Sequence, residues 1–402
     1  DVFRFFIPRT DVIYYRPLGM QFIFFLFQKL FYFIGIDPLP FRMATFLIHI
    51  VNGYLVYRIL SFIHKNEKVG MFSAVLYISA AVHFTIFYWA ATIAFAMAPF
   101  FYFGAFLFFL EKKNKLSLSF FILGLFTNEL LITFPAIIFT WSLLQNKKQL
   151  KETLWFWVIF ACYVGARFIL FKPPTTGSYA VEYAPLQILL NFRDYVLWSF
   201  NFPEEIHNQF VNWFMLNPVF VKEFFPYIAS FGLTLLGFFV LMVVGISHSL
   251  YAKDKIMYLK YGVFGVIWFV GTLAPVLFFS NHAFSYYLAI PLLGMFITLF
   301  AGLSELMKKN SRLAYGIISV FCLVWIIASY QSIRFNTFIH WAPRRALLSF
   351  ETLQRLRWEV SQPNRGSALH VPGGDEYIWA LSDQHGVQVF FNDPTLKTIY
   401  DK

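Results

Sequence analysis

The side chains able to do chemistry fall at the edges of apolar stretches. Arg9, Asp11 and Arg16 share an aromatic loop that ends in Tyr14-Tyr15-Arg16-Pro17-Leu18. Glu129 is the lone carboxylate inside the apolar run Leu116–Leu144, and Arg167 stands four residues before the end of another, in GARFILF. An acid between two cations could take a proton from an acceptor hydroxyl, so Asp11 is a candidate general base. Guanidinium groups match phosphate bidentately, which makes Arg9, Arg16 and Arg167 candidate phosphate ligands, with Tyr15 beside them. Glu129 is a second candidate carboxylate, because an ionised group in apolar surroundings is normally paired or functional. Plainer readings stay open. Arginines snorkel to interfaces, and Glu129 could be an acid at a water-facing hairpin tip.

Three histidines join this list. His49 lies about ten residues into an apolar segment, roughly 15 Å deep at the helical rise, with Asn52 on its next turn. A ring bridging two helices is the reading that depth favours. His83 in AAVHFTIFYW and His282 in SNHAFSYY sit in short polar breaks. Either could carry a proton near neutral pH or be an ordinary loop histidine. There is no P-loop, G-x-G-x-x-G, H-E-x-x-H or nucleophile elbow. Cys162 and Cys322 both lie in apolar runs and build neither a disulfide framework nor a zinc site.

The elements that must hold these groups are membrane helices. An average soluble domain carries about 25% charged residues. This 402-residue chain carries 13%, against 59% hydrophobic residues that include 55 Phe. The net charge of +11 does not indicate nucleic acid. Lys65/Lys68, Lys112/Lys113/Lys115, Lys147/Lys148/Lys151, Lys253/Lys255/Lys260 and Lys308/Lys309/Arg312 all fall in gaps between apolar runs, the positive-inside pattern of a multi-pass inner-membrane protein.

The fold class expected is an all-α polytopic membrane protein with about ten spans. They fall near 40–63, 69–89, 91–110, 116–127, 130–145, 154–171, 226–248, 258–279, 287–306 and 313–332. Leu116–Leu144 reads as two short helices meeting at an outer tip. Gln21, Gln28 and Tyr32 stripe the segment before the first span, which reads as an in-plane interfacial helix. The chain divides into a first outer loop with that helix (1–39), a transmembrane bundle (40–332) containing a long outer loop (172–225), and a small extracytoplasmic C-terminal domain (333–402). The last should hold a helix near 341–361 and strands near 367–372, 377–382, 387–391 and 396–400. The loop-like start at Asp1 suggests a further helix upstream.

These residues resemble the GT-C superfamily of polytopic glycosyltransferases, which includes protein O-mannosyltransferases and aminoarabinose transferases. The closest likeness is to bacterial relatives of the transmembrane O-mannosyltransferases that carry tetratricopeptide repeats. YYRPL followed by FLIHIVNGYLVY (Phe46–Tyr57) is similar to that family's first outer loop and second helix. AAVHFTIFYW resembles its H-P-x-H-x-E-x-x-x-W segment through His83 and Trp89. FTNELLITFP resembles its S-K-E tip, and SNHAFSYYLAIPLLG the start of a late helix. Asn128, Thr85 and Tyr286 depart from the family's lysine, glutamate and arginine. Arg9, Arg16 and Arg167 would then supply the charge around a phosphate.

The resemblance implies transfer of a sugar from a polyprenyl-phosphate donor to an extracytoplasmic acceptor. It also implies a carboxylate of the first outer loop as base, with the usual acid pair upstream of Asp1. Family members often need a divalent metal; the sequence offers no ligand cluster and leaves metal open. The alternative is a transporter or lipid-carrier flippase, for which matching halves with broken helices are expected. No internal repeat is visible.

Overall fold

The computed structural model describes residues 2–7, 15–31, 38–145, 147–171, 179–279, 282–309 and 311–401. Pro17–Phe22 form a π-helical turn that runs into α1 (Ile23–Leu30). Together they reach only about 21 Å at 1.5 Å per residue, short of a bilayer core of about 30 Å. The bundle begins with α2 (Leu39–His64) and α3 (Glu67–Ile78). Lys65 ends α2 in the left-handed conformation, and the Asn66 side chain accepts the Lys68 N–H to cap α3, so the chain reverses within two residues. Beyond α3 the path bends by 47° into Ala81–Tyr88, which carries α4 (Phe84–Tyr88).

Next come α5 (Ile93–Leu110), α6 (Asn114–Leu125), α7 (Phe134–Gln145) and α8 (Leu154–Leu170). The long connection after α8 contributes α9 (Pro185–Trp198) and α10 (Pro218–Glu223). The bundle closes with α11 (Phe225–Leu250), α12 (Lys255–Leu273), α13 (Pro291–Lys309) and α14 (Ser311–Ile339). Among the described residues seven helices are long and apolar enough to cross a membrane, or eight if the bent pair counts as one span. Each of the ten expected segments is helical in whole or part, but α6 and α7 have only 12 residues each.

Burial separates inner helices from outer ones. The apolar window of the α5 helix is 89% buried and that of α13 83%, against 22% for α11 and 11% for the α8 helix. Lipid gives apolar helices no reason to associate by hydrophobicity, so close approach at small residues does it. A Cβ on Gly294 would strike the Gly265 carbonyl of α12, and one on Gly302 would strike the backbone of Gly245 on α11. α13 is thus the post on which α11 and α12 lean.

The C-terminal segment has its own core of Leu356, Leu369, Val371, Leu381, Val387 and Leu396. It consists of α15 (Trp341–Glu359), β1 (Ala368–Val371), α16 (Asp375–Leu381), α17 (His385–Phe390) and β2 (Lys397–Tyr400). β1 and β2 pair in parallel, Ala368 opposite Lys397 through Val371 opposite Tyr400. Parallel pairing needs a crossover, and α16 and α17 provide it. The strands expected near 377–382 and 387–391 are these two helices. Short apolar runs carry no decisive period, and tertiary need settled them as helix.

Candidate functional site

At the end of the bundle opposite the lysine gaps, the 15–22 segment, the tip between α6 and α7, and the loops after α8 and before α13 meet. The Leu18 N–H donates to the Phe126 carbonyl at 3.0 Å. Gly19 lies so close to the Thr127 carbonyl that a Cβ would collide with it. These contacts fix Arg16 over the tip. Asn128 caps the tip by accepting the Leu130 N–H at 3.0 Å, and a short 3-10 helix over Glu129–Thr133 follows.

Glu129 Oε2 accepts from Arg16 Nε at 2.7 Å, and Arg167 Nη2 lies 3.7 Å from Oε1. Arg16 is 8% exposed and Glu129 23%. The two guanidinium groups lie over aromatic rings, Arg16 4.9 Å from the Phe95 centroid and Arg167 4.9 Å from that of Phe171. Burial alone would push the Glu129 carboxyl up, but Arg16 and Arg167 outweigh it and hold the group below its usual range. Burial likewise disfavours charge on Arg16, and Glu129 more than restores it. Glu129 Oε1 is buried yet accepts no hydrogen bond among the described residues. An apolar groove of about 320 Å³ between α6 and α8 runs up to this centre, lined by Tyr15, Phe126, Ile159, Cys162, Tyr163 and Arg167.

A second carboxylate lies deeper in the same end. Glu204, in the short helix after α9, is 3% exposed and its carboxylate accepts four hydrogen bonds. Ser285 gives it a backbone N–H at 2.8 Å and a hydroxyl at 2.6 Å; His340 Nε2 stands at 3.0 Å and Trp341 Nε1 at 3.2 Å. The Ala342 N–H donates to His340 Nδ1 at 3.1 Å. That nitrogen must then carry a lone pair, which assigns the proton to Nε2 and makes the ring a neutral donor. Thr85 Oγ1 also meets Nε2, at 3.3 Å. Burial pushes the Glu204 carboxyl up, but the hydrogen bonds from His340 and Ser285 more than reverse it.

Arg16, Glu129, Arg167 and Tyr15 therefore come together. Asp11 and Arg9 lie outside the described residues. His282 feels Arg16 of one centre and Glu204 of the other, and its ring lies 4.1 Å from that of Tyr179. Burial and the nearby Arg16 depress it to about 4, with Glu204 opposing. His49 and His83 form another cluster, ring centroids 4.3 Å apart, where α2 meets the bend after α3. His49 Nε2 reaches the Ile78 carbonyl at 3.0 Å, which is the helix-bridging role. Asn52 likewise donates to the Ala96 carbonyl on α5 at 2.9 Å.

Among the described residues no three His, Cys, Asp or Glu side chains group to hold a metal. Sequence reasoning missed Glu204 and His340. Glu204 occurs in the polar run PEEIHNQ, where nothing local separates it from the more exposed Glu205. No family model, curated protein or solved structure matches this chain significantly.

Proposed function

We propose that this protein is an integral-membrane glycosyltransferase of GT-C type, using a polyprenyl-phosphate sugar and an extracytoplasmic acceptor. The observation that carries the reading is the Arg16–Glu129–Arg167 centre at the polar end of an apolar groove. A donor with an anionic head and a long lipid tail suits that combination. Arg16 and Arg167 would hold the phosphate, with charge-assisted bonds strengthening as its negative charge grows. The carboxylate of Asp11 would take the acceptor proton. As the acceptor oxygen bonds to the sugar's anomeric carbon, the bond to phosphate breaks and the lipid phosphate leaves with the electron pair. Glu129 would orient the arginines and offer Oε1 to a substrate hydroxyl.

The same proposal has ten membrane passages in the inner membrane, the lysine gaps in the cytoplasm and the C-terminal α/β segment outside. Reporter fusions at Lys113 and Ser367 should then report opposite sides. The deciding assay supplies a radiolabelled polyprenyl-phosphate hexose to the full chain in nanodiscs and measures release of polyprenyl phosphate. Release that disappears in Glu129→Gln and Asp11→Asn supports transfer. One observation favours a flippase instead, the 47° break between Ile78 and Ala81, because broken helices mark many transport sites. Movement of the lipid across the bilayer without cleavage of its sugar would select that reading.

A further inference from the structure

A mixed cleft of about 490 Å³ separates α15 from α16 in the C-terminal segment. The Arg345 guanidinium stands between two indoles, 5.1 Å from the Trp341 ring centroid and 5.4 Å from that of Trp379. Trp379 is 62% exposed. Two rings this close hold the guanidinium at the wall of the cleft. Glu351 and Asp375 line the same space. Arg344 is paired with Glu376 at 2.9 Å. Among the described residues the Arg345, Glu351 and Asp375 side chains make no hydrogen bond to protein.

The charge arrangement selects the ligand. With Arg344 and Glu376 paired, the cleft is lined by one further guanidinium, which also feels Glu205, and by two carboxylates. An anion meets those carboxylates, and a cation meets a guanidinium held in place by two aromatic rings. A neutral hydroxyl avoids both conflicts, since it accepts from Arg345 and donates to Glu351 or Asp375. An exposed indole beside these groups offers a flat apolar surface to a ring with C–H bonds on one face. Neutral hydroxyls around a ring with an apolar face describe a pyranose sugar. We infer that the Trp341–Arg345–Trp379 cleft is a carbohydrate-binding site for a neutral saccharide.

The cleft is joined to the bundle's polar end through Trp341. This indole donates to Glu204, and its ring packs 5.3 Å from Trp89 and 5.8 Å from Phe284. The assignment stands on the cleft's own lining and requires no transfer chemistry at Glu129.

The test uses the full chain in nanodiscs, free of sugar-based detergents and with no donor present. Saturation-transfer NMR is recorded with the methyl glycosides of glucose, mannose, galactose and N-acetylglucosamine. At least one should bind saturably. Trp379→Ala should weaken it about tenfold and Trp379→Phe much less, a tenfold loss being the scale of one good contact. Asp375→Asn should weaken it by a similar factor through a lost charge-assisted bond. Trp358→Ala, at an 88% exposed tryptophan that does not line the cleft, should leave binding unchanged. Trp379 and Asp375 are exposed, so the thermal midpoint reports that these variants fold. Binding of none of the four glycosides overturns the inference, as does binding that survives both Trp379→Ala and Asp375→Asn, or binding of tetraglycine in place of the sugars. Because no donor is present, failure here is distinguishable from failure of the transfer reaction.

Discussion

Two carboxylates sit at the same end of this bundle under opposite regimes. Glu129 is held by two cations, keeps 23% of its side-chain surface and leaves one oxygen without a hydrogen bond. Glu204 is 3% exposed and is satisfied by neutral donors: a serine twice, an imidazole and an indole. Both are held below the usual carboxyl range against their burial. The resulting group is nonetheless different. In the proposed reaction Glu129 exchanges a partner: a donor phosphate replaces it on Arg16 while a substrate hydroxyl takes Oε1. Glu204 cannot change partners without stranding several buried donors. Its bonds tie the loop after α9 to Ser285, to the α14–α15 junction and, through His340, to Thr85. A saturated carboxylate is a joint, and an incompletely satisfied one at the end of a groove is where the site is proposed.

The largest effect should come from breaking the joint. Glu204→Ala removes the acceptor for four donors at once, and each buried donor left unsatisfied typically costs about 1–3 kcal/mol. The thermal midpoint in nanodiscs should fall by more than in Glu129→Gln, which keeps a side-chain carbonyl oxygen for Arg16 to donate to. Equal losses in the two variants would erase the distinction.

Next in size is the effect of Arg16→Ala on the proposed donor turnover. A charge-assisted contact is worth about 1.5–3 kcal/mol, or roughly 10- to 150-fold in rate. Arg16→Lys should restore only part, since an ammonium lacks the planar fork. Arg167→Ala should cost less, its nitrogen being 3.7 Å from Glu129 rather than 2.7 Å. Turnover lost equally in Glu204→Gln that still folds would mean that the joint takes part in the chemistry.

The two centres were unequally legible in the sequence, for physical reasons. Glu129 and Arg167 stand out because a charge within an apolar run is expensive wherever the run ends up. Arg16 stands out because it abuts one. Glu204 lies in a polar loop, where an acid costs nothing until tertiary packing buries it. His340 falls at a helix junction whose burial depends on residues more than a hundred positions away. The bundle was readable from apolar run lengths and lysine gaps. α16 and α17 were not, because six or seven residues with mixed aromatic and aliphatic character fit either period.

A smaller effect is expected at Gly19. Its closeness to the Thr127 carbonyl holds the segment carrying Arg16 against the tip that carries Glu129. In Gly19→Ala the backbones must separate, an overpacking cost of about 1–3 kcal/mol. Donor turnover should drop several-fold while sugar binding at Trp379 is unaffected. Unchanged turnover would show that the Arg16–Glu129 geometry tolerates movement of its support.

The smallest effect should be a pH dependence carried by His282, which feels both centres. Burial and Arg16 lower its folded-state value to about 4, while the unfolded chain takes up this proton near about 6.5. Between these values the unfolded state binds a proton that the folded state refuses, so acidification across that window destabilises the fold. Below about 4 both states are protonated and the slope ends. The two carboxylates act elsewhere: their folded values lie below the unfolded carboxyl value of about 4.3, so their stabilisation is lost only as pH falls beneath that. Comparing the thermal midpoint of the parent chain with that of His282→Asn from pH 7 to pH 4 cancels what other histidines contribute. The parent should lose about 1 kcal/mol more, a shift discounted for the ring's partial exposure. Arg16→Ala removes the nearby cation and leaves Glu204 in place, so His282 should move back toward 6.5 and the difference between the curves should shrink. A difference that does not change in Arg16→Ala would mean that burial alone sets this histidine, and that the two centres do not meet there.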